Sequence, residues 1–205
     1  MTHIDLVHRA TQTLIDHVDE LTTLDQAIGD GDHGLNMKRG AQAIQALAGQ
    51  LEAMPLNDAL KRMGMACMST IGGSSGPVFG TLLVTLAKEL PPAPTEPDVA
   101  SALAASIAAL TRLGKAEVGQ KTLLDVLAPV QALLAAAPAD EPRAALLGRI
   151  KACADESAAA TADMNAERGR ASFLGERALG HVDPGSRSMA LIIGAVCDGL
   201  GDKTP

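Results

Sequence analysis

Segments with the apolar period of an α-helix, separated by glycine-rich or proline-rich stretches, run through the chain and restrict its fold. Apolar residues recur three or four positions apart at Leu6, Ala10, Leu14, Val18 and Leu21. This spacing predicts a first amphipathic helix that ends near Leu24. Further helices are predicted at about 35–50, 57–70, 76–90 and 99–113, from 122 to the segment "PADEP" (138–142) with a bend at Pro129, from there to about 169, and at 171–179 and 185–200. Asp98 is the expected N-cap residue of the helix at 99–113.

The apolar residues are of the kind that helices favour. The sequence holds 37 Ala and 27 Leu but only 19 Val and Ile together, two Phe, and no Trp or Tyr. Because strands draw on β-branched and aromatic side chains, the composition predicts an all-α single domain over residues 1–205. About eight antiparallel helices would form a bundle or barrel. Few large side chains are present to stack on a base or a sugar, so backbone and polar groups would hold any ligand.

The net charge, the cysteines and the hydropathy restrict the ligands and the cell compartment that the sequence favours. The net charge of −7 argues against binding to nucleic acid, which requires a basic face. A phosphate ligand would then need metal ions or helix N-termini. Cys67, Cys153 and Cys197 form neither a CxxC pair nor a metal-binding pattern, as expected for free thiols in a reducing cytosol. No apolar stretch reaches about 18 residues and no signal peptide is recognisable, so the expectation is a cytoplasmic protein without a membrane segment.

The stretch "DQAIGDGDHG" places three carboxylates, those of Asp25, Asp30 and Asp32, around a flexible glycine turn. Hard oxygen donors of this kind, together with water and phosphate oxygens, suit Mg²⁺. An EF-hand is excluded, because a loop that starts at Asp30 has Leu35 and Ala41 where glycine and glutamate are required. The alternative is that Asp32 only caps the following helix. Three adjacent carboxylates repel one another without a cation, and this favours a metal site.

Three other glycine-rich segments lie between predicted helices. "IGGSSGPVFG" (71–80) precedes an apolar helix whose first backbone N–H groups would favour an anion, although it lacks the spacing and the lysine of a Walker A motif. "GKAEVGQKT" (114–122) and "GHVDPGS" (180–186) are less specific, and Asp183 or Ser186 could be helix caps. For His33 and His181, the sequence leaves open a phosphate donor or a hydrogen-bonded structural histidine.

Taken in order, "DQAIGDGDHG", "GGSSGPVFG", "GKAEVGQKTLLDVL" and "GRASFLGERALGHVDPGSRS" resemble the nucleotide-binding L subunits of bacterial dihydroxyacetone kinases. The resemblance implies an eight-helix antiparallel barrel with ADP, or ATP, and two Mg²⁺ bound by the loops at one end. It assigns the metal to Asp25, Asp30 and Asp32, and catalysis to these together with His33. It assigns the phosphates to His33, Gly34, Leu35, Asn36, Ser74 and Ser75, and the nucleoside side to Gly114, Leu123, Arg177, Asp183, Pro184 and Gly185. Gln120 and Arg187 depart from the expected pattern at the nucleotide rim.

The same resemblance implies a phosphotransferase function that needs other subunits. Dihydroxyacetone would be held by a separate K subunit, and a phosphohistidine-bearing M subunit of the phosphotransferase system would rephosphorylate the bound ADP. Nothing in the sequence resembles the ketose site of the K subunit. Two alternatives stay open: the nucleotide-binding subunit of an ATP-dependent kinase for another small ketose or an acyl group, and a nucleotide-loaded coregulator of a transcription factor. A homodimer also stays open.

Overall fold

The computed structural model describes residues 2–202, which contain ten α-helices, two 3₁₀ segments and no strand. The helices are α1 His3–Asp16, α2 Val18–Ile28, α3 His33–Gln45, α4 Ala48–Glu52, α5 Leu56–Thr70, α6 Ser75–Glu89, α7 Glu96–Gly114, α8 Leu124–Ala135, α9 Arg143–Ala160 and α10 Pro184–Gly201. The 3₁₀ segments are Thr161–Asp163 and Arg170–Ala178. The predicted all-α class is confirmed. In the described range no helix is both long and apolar enough to cross a membrane.

Eight of the helices form a closed ring. Each of α3, α5, α6, α7, α8 and α9 packs against the next member of this series, α9 packs against α10, and α10 returns to α1, which contacts α3. The two remaining helices are shorter: α2 packs on α3 and α10, and α4 packs on α1. One continuous apolar core fills the ring, and its most deeply buried side chains include Leu21, Leu51, Ala59, Val126, Leu127 and Ala154.

Glycines allow α5 and α6 to approach closely in the ring. A Cβ atom added at Gly64 would lie 2.9 Å from the backbone oxygen of Gly80 and 2.8 Å from a methyl group of Val84. A Cβ atom at Gly80 would in turn lie 2.8 Å from the backbone oxygen of Gly64. Only glycine at both positions permits this backbone separation, because the packed interior has no room for an added methyl group.

The structure corrects the predicted helix ends in the first half of the chain. The first helix is divided at His17, where the backbone leaves helical geometry and the ring Nδ1 lies 2.7 Å from the carbonyl oxygen of Thr13. The helix predicted at 35–50 is divided into α3 and α4. The prediction of Asp98 as an N-cap is wrong: Thr95 caps α7, and the Asp98 carboxylate accepts hydrogen bonds from the backbone N–H and the hydroxyl of Thr95.

The second half of the chain also differs from the prediction. The helix expected to reach about residue 169 ends at Ala160, and the 3₁₀ turn Thr161–Asp163 follows. The hydroxyl of Thr161 donates to the carbonyl oxygen of Ala158, and the ammonium of Lys121 binds the carbonyl oxygen of Thr161. Both contacts occupy acceptors that a continuing helix would need. The helix predicted at 171–179 is a 3₁₀ segment interrupted at Gly175, which has a φ of 56°.

We expect Gly64→Ala to destabilise the protein by about 1–3 kcal/mol, because its methyl group must displace α6 or the side chain of Val84. The free energy of unfolding, measured in urea, tests this. Gly148→Ala is the matched control: Gly148 is exposed in α9 with no atom within 4 Å of an added Cβ. It should leave stability unchanged or raise it by about 0.5–1 kcal/mol through helix propensity. Equal effects of the two substitutions would contradict the packing argument.

Candidate functional site

The connections α2–α3, α5–α6, α7–α8 and α9–α10 meet at one end of the ring and enclose a cavity of about 310 Å³. Since every second connection of consecutive helices reaches this end, all four glycine-rich segments contribute to its wall. The residues that line it include Asp25, Asp30, Asp32, His33, Asn36, Gly72, Gly73, Ser74, Ser75, Gly114, Lys121, Leu123, Arg170, Asp183, Pro184 and Gly185. The cavity is therefore built mainly from loops and helix ends.

Three carboxylates converge on one side of the cavity. One oxygen of each of Asp25, Asp30 and Asp32 lies within 4.8 Å of the other two, a spacing that a shared cation can bridge. Asp25 projects from α2 and is buried, whereas Asp30 is exposed on the turn before α3. Gly31, between the two turn aspartates, has a φ of 76°, which glycine adopts at no steric cost. The turn thus directs Asp30 and Asp32 toward Asp25.

Local contacts fix the Asp25 carboxylate and argue against a capping role for Asp32. The backbone N–H of His33, at the start of α3, donates to Asp25 Oδ2 at 3.1 Å. Asp32 occupies the N-cap position, but its side chain accepts no capping hydrogen bond. A Cβ atom at Gly29 would collide with the Asp25 carboxylate, so glycine is needed there. Asp32 is left free to bind a ligand in the cavity.

A single cationic side chain in the described part of the chain forms an ion pair with this cluster. Arg170 Nη1 lies 2.6 Å from Asp30 Oδ2. Both side chains are largely exposed, so this pair contributes little to stability. One positive charge does not neutralise three carboxylates, and the cluster retains the capacity to bind a multivalent cation.

His33 is buried beside the carboxylates, and both of its ring nitrogens have protein partners. Nε2 lies 2.8 Å from the hydroxyl of Ser188, which itself donates to the carbonyl oxygen of Pro184. Nε2 therefore carries the proton, and Nδ1 accepts from the hydroxyl of Ser75 at 3.3 Å. Burial lowers the pKa of His33, outweighing the opposing effect of Asp25 and Asp32, so the ring is neutral at neutral pH. These contacts favour the structural interpretation of His33, which orients Ser75.

The start of α6 also lines the cavity. Ser74 is the N-cap residue, yet its side chain does not cap the helix. Gly72 packs against Asn36, where a Cβ atom would lie 2.7 Å from the amide oxygen. The absence of side chains at Gly72 and Gly73 exposes the backbone of this turn to the cavity, and the positive end of the helix dipole favours an anion there.

The wall on the far side combines apolar side chains with the turn Asp183–Gly185. Val78, Phe79, Leu110 and Leu124 supply apolar surface. Asp183 caps α10 by accepting a hydrogen bond from the backbone N–H of Ser186 at 2.6 Å. Burial raises the pKa of Asp183 to about 6, although the hydrogen bonds from Ser186 and the charge of Lys121 oppose this shift. This part of the cavity suits a flat, mostly apolar group with a polar edge.

Four of the residues singled out in the sequence do not line the cavity. Gly34 packs against α2, where a Cβ atom would collide with Thr22 and with the backbone of Val18. Leu35 is exposed on α3, His181 is exposed, and Arg177 is also absent from the cavity wall. Sequence reasoning missed Lys121, Arg168 and Arg170, which do line it. Their position inside or beside the glycine-rich motifs was the one available signal.

We expect Ser188→Ala to destabilise the protein by about 1–3 kcal/mol, because it leaves the buried Nε2–H of His33 without an acceptor. Ser69→Ala is the control, since the exposed hydroxyl of Ser69 bonds only to the carbonyl of Ala66 in its own helix. Urea unfolding of both variants gives the comparison. A loss no larger than that of Ser69→Ala would show that the histidine does not depend on Ser188.

The comparisons with known proteins agree on one family. Residues 27–198 match the DAK2 domain family. Over 178 residues the chain is 37% identical to the ADP-binding subunit DhaL of PEP-dependent dihydroxyacetone kinase 1 from Listeria innocua, covering 86% of this chain and 84% of that subunit. Over 176 residues it is 35% identical to the ADP-binding subunit DhaL of the Escherichia coli enzyme, covering 84% of each.

A solved structure shares the fold. The dihydroxyacetone kinase from C. freundii, in complex with AMP-PNP and Mg²⁺, superposes with a TM-score of 0.75 at 26% identity, covering 96% of this chain and 33% of that one. The family match extends over most of the sequence, and the two bacterial subunits are aligned over most of their own length. The chain therefore belongs to the DAK2 domain family.

Proposed function

We propose that this chain is the ADP-binding subunit of a dihydroxyacetone kinase and transfers a phosphoryl group through bound nucleotide to dihydroxyacetone on a partner K subunit. The observation that carries the proposal is the convergence of Asp25, Asp30 and Asp32 within 4.8 Å at a cavity whose other walls are an uncapped helix start and an apolar surface. These three surfaces correspond to the metal, phosphate and nucleoside parts of a Mg²⁺-nucleotide. The named relatives are ADP-binding subunits of the same kinase.

The carboxylate cluster fits Mg²⁺. It offers only hard oxygen donors, and the open cavity beside it leaves room for the water and phosphate ligands that Mg²⁺ retains. Asp25, Asp30 and Asp32 would hold two Mg²⁺ together with the nucleotide. Mg²⁺ held by these carboxylates would offset negative charge on the phosphoryl group and would orient the reacting oxygens. An acidic loop in a protein of net charge −7 can in this way bind an anionic ligand.

The chain's own groups position the nucleotide around the metal. The backbone of Gly72 and Gly73 and the hydroxyls of Ser74 and Ser75 line the phosphate side, and His33 keeps Ser75 in place by accepting its hydrogen bond. Arg170 is paired with Asp30 but is largely exposed, so it can move to the phosphates once cations occupy the carboxylates. The nucleoside would lie against Leu123 and the turn Asp183–Gly185.

The proposed reaction needs partners. In the proposed function the cavity beside the carboxylates is assigned to the nucleotide, and the acceptor is presented by another chain, the K subunit. In the PEP-dependent version, a phosphohistidine on an M subunit rephosphorylates ADP that stays bound to this chain. Phosphoryl transfer would then take two steps on the same nucleotide. In the first, a terminal phosphate oxygen of ADP attacks the phosphorus of the phosphohistidine and the histidine leaves, which gives ATP. In the second, the ketose hydroxyl gives up its proton and its oxygen attacks the γ-phosphorus, and ADP leaves.

An ATP-dependent kinase is the second candidate, favoured by the AMP-PNP complex of the larger C. freundii enzyme, of which this chain covers 33%. The substrate would be a small ketose or an acyl group. Nucleotide exchange separates the two: ADP that remains bound through gel filtration supports the PEP-dependent version, and rapid exchange with free ATP supports the other. A transcriptional coregulator that transfers no phosphoryl group, whether a monomer or a homodimer, would not explain why three carboxylates converge.

We expect Asp30→Asn and Asp32→Asn to fold and to lose Mg²⁺-dependent ADP affinity by about ten-fold or more, since each removes a charged metal ligand while keeping its size. Isothermal titration with Mg²⁺ and ADP measures this. Asp98→Asn is the control: it weakens the cap of α7, costing about 1 kcal/mol of stability, but leaves ADP affinity unchanged. Wild-type ADP affinity in both Asp30→Asn and Asp32→Asn would place the metal elsewhere.

We expect the purified chain to bind ADP with Mg²⁺ but not to phosphorylate dihydroxyacetone, whether supplied with phosphoenolpyruvate or with ATP, because in the proposed function the K subunit holds the acceptor. Adding K and M subunits from a related bacterial kinase should restore turnover from phosphoenolpyruvate. A coupled assay for dihydroxyacetone phosphate reports both conditions. Turnover by the chain alone would refute the proposed division of labour.

A further inference from the structure

Lys121 is buried in the wall of the cavity, with 2% of its surface exposed. Its backbone is in the left-handed region, with a φ of 60°, two residues after Gly119 with a φ of 92°. This tight winding turns the side chain away from solvent and into the protein. Residues other than glycine rarely adopt this backbone conformation, so other contacts must stabilise it.

Those contacts are backbone carbonyl groups. The ammonium of Lys121 donates to the carbonyl oxygens of Thr161 and Ala178, both at 2.8 Å, and lies 3.3 Å from that of Met164 and 3.5 Å from that of Ala162. No carboxylate of the described residues forms an ion pair with it. Three of these acceptors follow the C-terminal end of α9, and the fourth, that of Ala178, ends the second 3₁₀ segment. At such ends the carbonyl groups lack partners within the helix, and the helix dipole is negative.

This arrangement leaves no proton of Lys121 for a ligand. An ammonium has three N–H donors, and four carbonyl oxygens surround it. Burial lowers the pKa of Lys121, and the charges of Asp183 and Asp163 oppose that shift. Although Lys121 lines the cavity, it is therefore not a phosphate-binding lysine.

The carbonyl cage connects Lys121 to the turn on the nucleoside side. Thr161 Oγ1 accepts a hydrogen bond from the backbone N–H of Asp183 at 2.9 Å, and the carbonyl of Ala162 accepts one from the backbone N–H of Gly180 at 2.9 Å. On the other side of Lys121, the carbonyl of Thr122 accepts from the hydroxyl of Ser186 at 2.8 Å. One ammonium thus joins the connections α7–α8 and α9–α10, which are far apart in sequence.

We infer that Lys121 is a positioning residue for nucleotide specificity: it holds the turn Asp183–Gly185 and the α7–α8 connection against the nucleoside without contacting the phosphates. The inference rests on the proposed nucleotide-binding function. It adds a residue that positions the part of the site that would hold the nucleoside. The carboxylates and the serine hydroxyls assigned to the metal and the phosphates belong to the other two connections, α2–α3 and α5–α6. Arg170 belongs to α9–α10, but it is paired with Asp30 and is not part of the carbonyl cage of Lys121. Loss of the cage should therefore affect the two halves of the ligand unequally.

The test is Lys121→Met, which keeps the length and apolar stem of the side chain but removes the ammonium. Affinities for ADP and for inorganic pyrophosphate, both with Mg²⁺, are measured by isothermal titration. We expect ADP affinity to fall about ten-fold or more and pyrophosphate affinity to stay within about two-fold of wild type. Lys151→Met is the matched control, since Lys151 forms an exposed ion pair with Asp198 between α9 and α10. It should change neither affinity.

Other results overturn the inference. Unchanged ADP affinity in Lys121→Met, or an equal loss for both ligands, would show that Lys121 does not act on the nucleoside side alone. If Lys121→Met does not fold, the affinities of Thr161→Val for the same two ligands decide. This substitution removes the hydroxyl that accepts from the backbone N–H of Asp183, but it keeps the carbonyl group that binds the Lys121 ammonium. A wild-type chain that binds neither ligand would instead refute the proposed function, and the inference with it.

Discussion

The closed ring of helices is the constraint on which the rest of the structure depends. In a ring of consecutive antiparallel helices, every second connection returns to the same end, and here four connections meet there around one cavity. Small residues let the helices of the ring approach, as where Gly64 and Gly80 face each other between α5 and α6. Glycines at such contacts therefore set the spacing between the helices that carry the site.

The chemistry of the site follows from placing unlike surfaces at this end. Carboxylates from α2 and the next turn line the same cavity as the uncapped start of α6, so a negative cluster and the positive end of a helix dipole share one site. Without a cation the carboxylates repel one another, and among residues 2–202 only Arg170 forms an ion pair with them. A ligand that carries both multivalent cations and phosphates satisfies both surfaces together, which is why a Mg²⁺-nucleotide suits the cavity better than either component alone.

Loops with little regular structure need other means of fixation, and buried polar contacts provide it. His33 joins α3 to α6 and α10 through Ser75 and Ser188, and Lys121 joins the α7–α8 connection to the end of α9 through backbone carbonyls. Each polar group in these contacts is satisfied by a partner, so burial is not penalised by an unmade hydrogen bond. These contacts fix the loop ends to the helices that carry them.

The sequence by itself determined the helical class, most of the helices and the carboxylate cluster. These depend on local properties: the apolar period, the residue composition, and three aspartates that lie within eight consecutive positions beside the glycines of a turn. Tertiary structure alone decided where α9 ends, why Asp32 does not cap α3, and that Lys121 and Ser188 are buried polar partners. Those outcomes depend on contacts between residues far apart along the chain, such as His33 with Ser188 and Lys121 with Ala178. A single sequence carries no local signal for such pairs, because their geometry exists only once the ring has closed.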